Sequence, residues 1–155
     1  MKATGKKLHF FEEAYYCIDD SHSRKQCHGA VLVKGGKILS RGKNHISNRV
    51  MKKNVFTIHA EVDCFHHLPK WDVLNKGVDI YIVRKMVDGV GMSKPCKHCL
   101  DILQKYNIRR IYYTVYSDET DIYYHMERSR DMISNHMSYG VEQYMKANRI
   151  STLNL

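Results

Sequence analysis

Two short clusters hold the side chains of this sequence best suited to chemistry: His59-Ala60-Glu61 and Pro95-Cys96-Lys97-His98-Cys99. Each is weak alone, because a His-x-Glu triplet arises often by chance and a Cys-x-x-Cys pair serves redox chemistry, structural zinc or nothing. In this order, and both at expected helix starts, they point to one metal centre. Cys96 and Cys99 lie three residues apart on one face of a helical turn, so both thiolates reach a single ion while the helix N-terminus favours their negative charge. His59 supplies a third ligand from the neighbouring helix. Three protein ligands leave a fourth tetrahedral position for water, the arrangement of a catalytic zinc, which lowers the pKa of that water towards about 7. Glu61 would close the water position if it were a ligand. Beside the water it moves protons, as general base and then as acid.

The elements that must carry these residues follow from periodicity. Leu8, Phe11, Tyr15 and Ile18 recur at helical steps and predict a first helix ending near Asp19-Asp20-Ser21. Gly29–Val33 and Lys37–Ser40 flank Gly35-Gly36 and predict a β-hairpin. Residues 43–57 have no clean period, carry Arg49, Lys52 and Lys53, and read as a basic surface loop. Helical spacing returns at Ile58, Val62, Phe65 and Leu68, with Thr57 as expected N-cap and Pro69 as expected stop. Val78–Val83 is a buried strand, Lys85–Lys94 a glycine-containing loop, and a third helix starts near Pro95 with Leu100, Leu103 and Tyr106 on its apolar face. Arg110–Val115 is the next strand. The turn Ser117–Thr120 leaves room only for an antiparallel partner in Asp121–His125. Met132, Ile133, His136, Met137, Val141, Tyr144 and Met145 fall at helical steps broken by Gly140, and residues 150–155 are expected to fray. The fold class is therefore α/β, a three-layer α/β/α sandwich with a mixed sheet of about five strands.

Length and composition set the outer bounds. At 155 residues the chain reads as one domain, 1–155, large enough to bury a core. With 43% hydrophobic and 26% charged residues it should fold, and no apolar run approaches the roughly 20 residues of a membrane span. Basic residues near Met1 lack the apolar stretch of a signal peptide, so a cytoplasmic or nuclear location is expected and no membrane partner. Five cysteines in such a chain favour metal or catalytic use over disulfides. Lys and Arg outnumber Asp and Glu by 25 to 16, which favours phosphorylated small molecules or polyanions as partners.

His-x-Glu followed by Pro-Cys-x-x-Cys is the signature of the zinc-dependent deaminases. The sequence resembles the cytidine and deoxycytidylate deaminase superfamily on these motifs, on His28–Val33, on Gly42-Lys43-Asn44 and on Ile111-Tyr112-Tyr113, over roughly residues 27–116. The resemblance implies a cytidine deaminase-like fold, Zn2+ as cofactor, and a homodimer or larger assembly. It further implies that Asn44 binds the ribose hydroxyl and that the backbone amide of Ala60 helps hold the pyrimidine. The implied reaction is hydrolytic: activated water adds to the amine-bearing ring carbon, and Glu61 protonates the ring nitrogen and then the departing ammonia. The stretch from Glu61 to Cys96 is longer than in many relatives, with the excess in Met86–Lys94. The expected hairpin at 110–126 resembles the antiparallel arrangement of small cytidine deaminases more than the parallel one of polynucleotide-acting relatives, which favours a free nucleoside or nucleotide, dCMP or cytidine above all.

Two other functions stand beside that one. The net charge of +9 and the basic loops fit an enzyme editing cytosine or adenosine in tRNA, RNA or single-stranded DNA, with nucleic acid as partner. An inactive, zinc-stabilised binding module is the third, against which Glu61 counts, since a purely structural site needs no such carboxylate. Arg49, Lys52, Lys53, Arg84, Lys85 and Lys94 are expected around the pocket mouth, as phosphate contacts or as a solvated rim. Cys17, His22, Cys27 and His28 are alternative ligands for a second metal, as some deoxycytidylate deaminases possess. Their irregular spacing fits buried thiols and a core histidine better. Cys64 reads as a small core residue, and His66 and His67 as surface positions. Of the eleven tyrosines, Tyr112, Tyr113, Tyr123 and Tyr124 fall in strands, where packing explains them.

Overall fold

Gly35 and Gly36, at φ of 58° and 76°, adopt a left-handed backbone that other residues rarely tolerate, and so turn β1 (Cys27–Lys34) back into β2 (Lys37–Lys43). The structure, a computed structural model, describes residues 1–18, 27–46, 57–68, 77–117 and 121–136. The remaining elements, in chain order, are α1 (Gly5–Tyr16), which precedes the hairpin, β3 (His45–Ile46), β4 (Thr57–Ile58), α2 (Ala60–His66), β5 (Val78–Met86), β6 (Gly89–Gly91), α3 (Lys97–Lys105), β7 (Arg110–Thr114), β8 (Tyr124–Arg128) and a 3-10 turn, Ser129–Asp131.

The main sheet runs β2-β1-β5-β7-β8, with β6 folded back on the end of β5. β5 and β7 are parallel and every other pairing is antiparallel, including β7 with β8 from Arg110 opposite Arg128 to Thr114 opposite Tyr124. This is the mixed sheet and the terminal hairpin that the sequence predicts. Both faces are covered, which is why β1 and β5 read as continuous apolar runs instead of alternating.

On one face α1 buries Phe10, Phe11 and Ala14 against Val31, Val33, Tyr81 and Val83. Tyr81 stacks on Tyr112 with centroids 4.3 Å apart. On the other, α2 and α3 set Phe65, Leu100 and Leu103 against Leu32, Ile80, Ile82 and Ile111. Full burial of one such side chain stabilises the fold by about 1.5–3 kcal/mol. Cys64 is wholly buried in this second core, while His66 and His67 are exposed.

Several boundaries differ from the sequence reading. Thr57 does not cap a helix: it pairs with Ile46 in the small β3–β4 ladder, and the N-cap position of α2 is His59. Lys43 belongs to β2, so the expected loop is shortened, and residues 47–56 lie outside the described residues, as does Pro69. Half of the expected loop at 85–94 is strand, because β5 continues to Met86 and pairs with β6 across a tight turn. α3 begins at Lys97 with Cys96 at its N-cap.

The largest difference is at 132–136, expected as helix. A helix there would compete with tertiary partners that win: Ser134 Oγ donates to Pro95 O at 2.8 Å, and Lys97 N donates to His136 O at 2.8 Å. The amide of Lys97, which the helix cannot satisfy internally, thus ties this segment across the start of α3 as a strap. Met132 is buried in the second core. The helix expected beyond Met137, and the frayed end, lie outside the described residues. Among the described residues no helix is long and apolar enough to cross a membrane.

Gly42 sets how closely α2 approaches the sheet, because a Cβ there would collide with the backbone of Ala60 and Cys64. Gly42→Ala is expected to destabilise the protein by about 1–3 kcal/mol, since backbone and not a pliable side chain is in the way. Urea unfolding checks this through a lowered midpoint at unchanged slope.

Candidate metal centre

The N-termini of α2 and α3 meet, and the meeting point is where the two sequence clusters lie. His59 Nδ1 is 3.2 Å from Cys99 Sγ and 3.6 Å from Cys96 Sγ, and the three ligand atoms all fall within 4.8 Å of one another. A tetrahedral zinc with ordinary Zn–N and Zn–S bonds separates its ligand atoms by about 3.6 Å. Spacing and donor set, two soft sulfurs and an imidazole, both fit Zn2+. Among the described residues this is the sole grouping of three or more His, Cys, Asp and Glu side chains whose ligand atoms all lie close enough together to share an ion.

Burial makes the electrostatics strong. The Cys99 thiol donates towards Cys96 and pulls its pKa down to about 3; burial opposes this, and the His59 imidazole adds to it. The same hydrogen bond, with burial, pushes Cys99 well above the usual thiol range. The pair therefore holds one proton. Burial pulls His59 down, but the Cys96 thiolate and the Glu61 charge outweigh it, and the imidazole ends above its ordinary value. Glu61 is buried, and desolvation raises its carboxyl despite the opposing pull of His59.

A cavity of about 220 Å³ opens beside this cluster, lined by His59, Ala60, Glu61, Cys96 and Asn44. Five of the six residues predicted for the site thus meet at one cavity, and the sixth, Cys99, is buried behind it as a corner of the sulfur–imidazole triangle. Asn44 is fixed from several sides. Its Oδ1 accepts from His28 N at 2.8 Å, and its own N donates to His28 O at 3.2 Å. Its chain neighbours are held by the buried Asp63 carboxylate, which accepts from Lys43 N at 3.0 Å and lies 2.9 Å from His45 Nε2.

The sequence reading missed several lining residues: His28, Met92, Ser93 and His136. His28 is no core histidine but a wall of the cavity; burial, then the nearby Arg84 charge, lowers its pKa to about 4, so it is neutral at physiological pH. The start of β1 beside Asn44 is the signal that would have found it. Ser93 arrives because its hydroxyl donates to Ile82 O at 2.7 Å and accepts from Thr114 N at 2.7 Å, which ties the chain before Pro95 to the sheet. His136 arrives on the strap, which no periodicity foretold.

Of the expected basic rim, Arg84 and Lys94 line the cavity. Lys85 does not: it points to the other face, with its ammonium 5.2 Å over the Tyr15 ring, because neighbouring strand residues alternate sides. Arg49, Lys52 and Lys53 lie outside the described residues, as does His22. Cys17, weighed as a second-metal ligand, directs its thiol to Ala14 O and Gly42 O, both at 3.1 Å.

Comparison with known proteins agrees with this geometry. The family described as "Cytidine and deoxycytidylate deaminase zinc-binding region" matches residues 5–115. No curated protein matches the sequence. Among solved structures, a cytidine deaminase from Burkholderia pseudomallei is similar in fold, with TM-score 0.55 at 15% identity over 80% of this chain and 93% of that one.

The shared proton has a measurable consequence. Metal-free protein should keep one thiolate per chain at pH 5 to 6, where ordinary cysteines are protonated. Ultraviolet thiolate absorption followed from neutral to acid pH checks this, and Cys96→Ser should abolish the signal.

Proposed function

The chain belongs to the cytidine and deoxycytidylate deaminase family, and from that premise we propose that it hydrolyses the exocyclic amine of a free cytosine nucleoside or nucleotide, giving the uracil product and ammonia. One observation carries this reading: the buried carboxyl of Glu61 lines the same small cavity as His59 and Cys96. A structural metal site has no use for an acid group there.

In this reading His59, Cys96 and Cys99 hold the metal. Zinc bound to them supplies the Lewis acidity that makes water a nucleophile near neutral pH. Glu61 takes the proton that water gives up as its oxygen adds to the amine-bearing ring carbon, and passes it to the ring nitrogen. The hydroxyl now on that carbon gives up a second proton, which the same carboxyl relays to the amine as the carbonyl forms and the C–N bond breaks, so the departing group is neutral ammonia. Burial, which raises the Glu61 pKa, suits a group that must both accept and return protons. Asn44, clamped between His28 and the Asp63-held flanks, orients the sugar hydroxyl. The Ala60 amide, in the first turn of α2 where helix amides lack internal acceptors, holds the ring.

Arg84 favours a phosphorylated substrate. Its Nε is buried and has no hydrogen-bond partner among the described residues, and it lines the cavity that holds Glu61. Lys94, by contrast, is engaged with Glu127 at 3.5 Å. An unpaired guanidinium beside a substrate cavity matches the planar, multidentate recognition of phosphate. The antiparallel β8 also supports a free nucleotide over a polynucleotide.

Ammonia release from zinc-loaded protein should be seen with dCMP or CMP ahead of the corresponding nucleosides. Release from oligonucleotides alone would establish an editing enzyme instead, and release from none of them a binding module. Glu61→Gln should retain one zinc by elemental analysis while turnover falls at least about 100-fold. Cys99→Ala should lose both the metal and thermal stability. Arg84→Gln should raise KM for the nucleotide about tenfold and leave the nucleoside unchanged, a loss of about 1.4 kcal/mol.

A further inference from the structure

Cys96 differs from Cys99 in how its backbone is held. It occupies the N-cap of α3 with an extended backbone, φ −69° and ψ 166°, so the helix ladder begins only at its own carbonyl, which accepts from Leu100 N at 2.9 Å. The amide of Cys99 turns to the Cys96 sulfur at 3.5 Å and so does not serve Pro95 O. Cys99 itself lies inside the first turn, where the helix fixes its backbone. The peptide plane between Pro95 and Cys96 therefore takes no support from α3.

The strap at 132–136 supplies that support. Ser134 Oγ donates to Pro95 O and His136 O accepts from Lys97 N, both at 2.8 Å, so the two bonds take hold of the peptide planes on either side of Cys96. Peptide planes are stiff, and fixing both sets the φ and ψ between them, and with these the direction in which the cysteine side chain leaves the backbone. A serine hydroxyl has one hydrogen, here given to Pro95 O, so at the 3.3 Å contact between Ser134 Oγ and His136 Nδ1 the imidazole is the donor. One hydroxyl thus steadies both the backbone of a metal ligand and a ring that lines the cavity.

The strap is built to hold. Its burial alternates, with Met132 3% exposed, Ile133 73% and Ser134 8%, as in an extended chain that lays one face on the core. An apolar side chain would suit the inward position of Ser134 if packing were its task, because a hydroxyl there costs free energy unless it is bonded. The root is anchored twice: Met132 sits in the core of α2 and α3 with its amide on Arg128 O at 3.1 Å, and Gln104 Nε2 donates to Ser129 O at 2.8 Å. The family match ends at residue 115, so the strap is no part of what that match accounts for.

We propose that Ser134 is a positioning residue for the metal: by holding the Pro95–Cys96 peptide it keeps the Cys96 sulfur aimed at the ion and slows the ion's escape. Loss of a metal starts with one ligand swinging away, and a ligand whose backbone is pinned returns before the others let go. Partners that orient a ligand change metal affinity by about 10–100-fold. The proposal rests on His59, Cys96 and Cys99 as the zinc ligands and does not depend on which substrate is turned over.

Transfer of zinc from the loaded full chain to an excess of the chromogenic chelator 4-(2-pyridylazo)resorcinol, with no substrate present, tests it. Ser134→Ala should bind one zinc per chain and release it about tenfold faster, while Ser134→Thr, which keeps the hydroxyl, should stay within about twofold of the unaltered chain. Phe10→Leu, which loosens packing on the opposite face of the sheet, should leave the rate unchanged. With Co2+ in place of zinc, Ser134→Ala should shift the visible ligand-field bands and Phe10→Leu should not. If the alanine variant does not fold, Ser134→Val against Ser134→Thr makes the same comparison at nearly equal size. Release from Ser134→Ala at the unaltered rate overturns the proposal, and so does an equal acceleration in Phe10→Leu, which would assign the effect to general stability. An unaltered chain that takes up no zinc overturns the ligand assignment itself, and this proposal with it.

Discussion

Everything about this fold is organised around one constraint: two sulfurs and an imidazole nitrogen must be brought within bonding reach of a common point, out of water. Without an ion that arrangement is awkward, because two close thiols cannot both ionise and the buried thiolate that does form relies on its neighbours' protons. With a divalent cation the same three groups become mutually supportive. The site is therefore a place where the fold holds tension that a metal resolves, and the surrounding structure has to be stiff enough to hold it.

That stiffness comes from ordinary packing put to a particular use. α2 lies close on the sheet because Gly42 presents no side chain, which sets the depth at which His59 and Glu61 stand. The Ser93–Thr114 hydrogen bonds deliver the chain to Pro95 at a fixed height above the sheet. Asp63, a buried carboxylate that could have been a liability, accepts hydrogen bonds from the residues flanking Asn44 and so joins α2 to the end of β2. Core, glycine contact and polar clamp thus converge on the same few ångströms.

Much of this was legible in the residues themselves. The glycine hairpin, the doubly buried strands and the antiparallel end of the sheet all follow from patterns of short range, and the cluster of His59, Cys96 and Cys99 announces itself through spacing. What escaped depended on contacts between distant segments. Helical spacing at 132–136 was overridden by hydrogen bonds to Pro95 O and Lys97 N, and Thr57 gave up its expected cap to a ladder with Ile46. His136 lacks any local motif, so only the assembled cavity identifies it. Lys85 was misplaced for a simpler reason: strand continues through a stretch that read as loop, and alternation sends it to the opposite face.

The strap at 132–136 also fixes an order of events. During synthesis, both cysteines and the histidine of the cluster leave the ribosome well before His136 does, so the nascent chain displays an uncovered set of ligands for a time. The residues that fasten onto the start of α3, Ser134 and His136, are thus made after every other described part of the site.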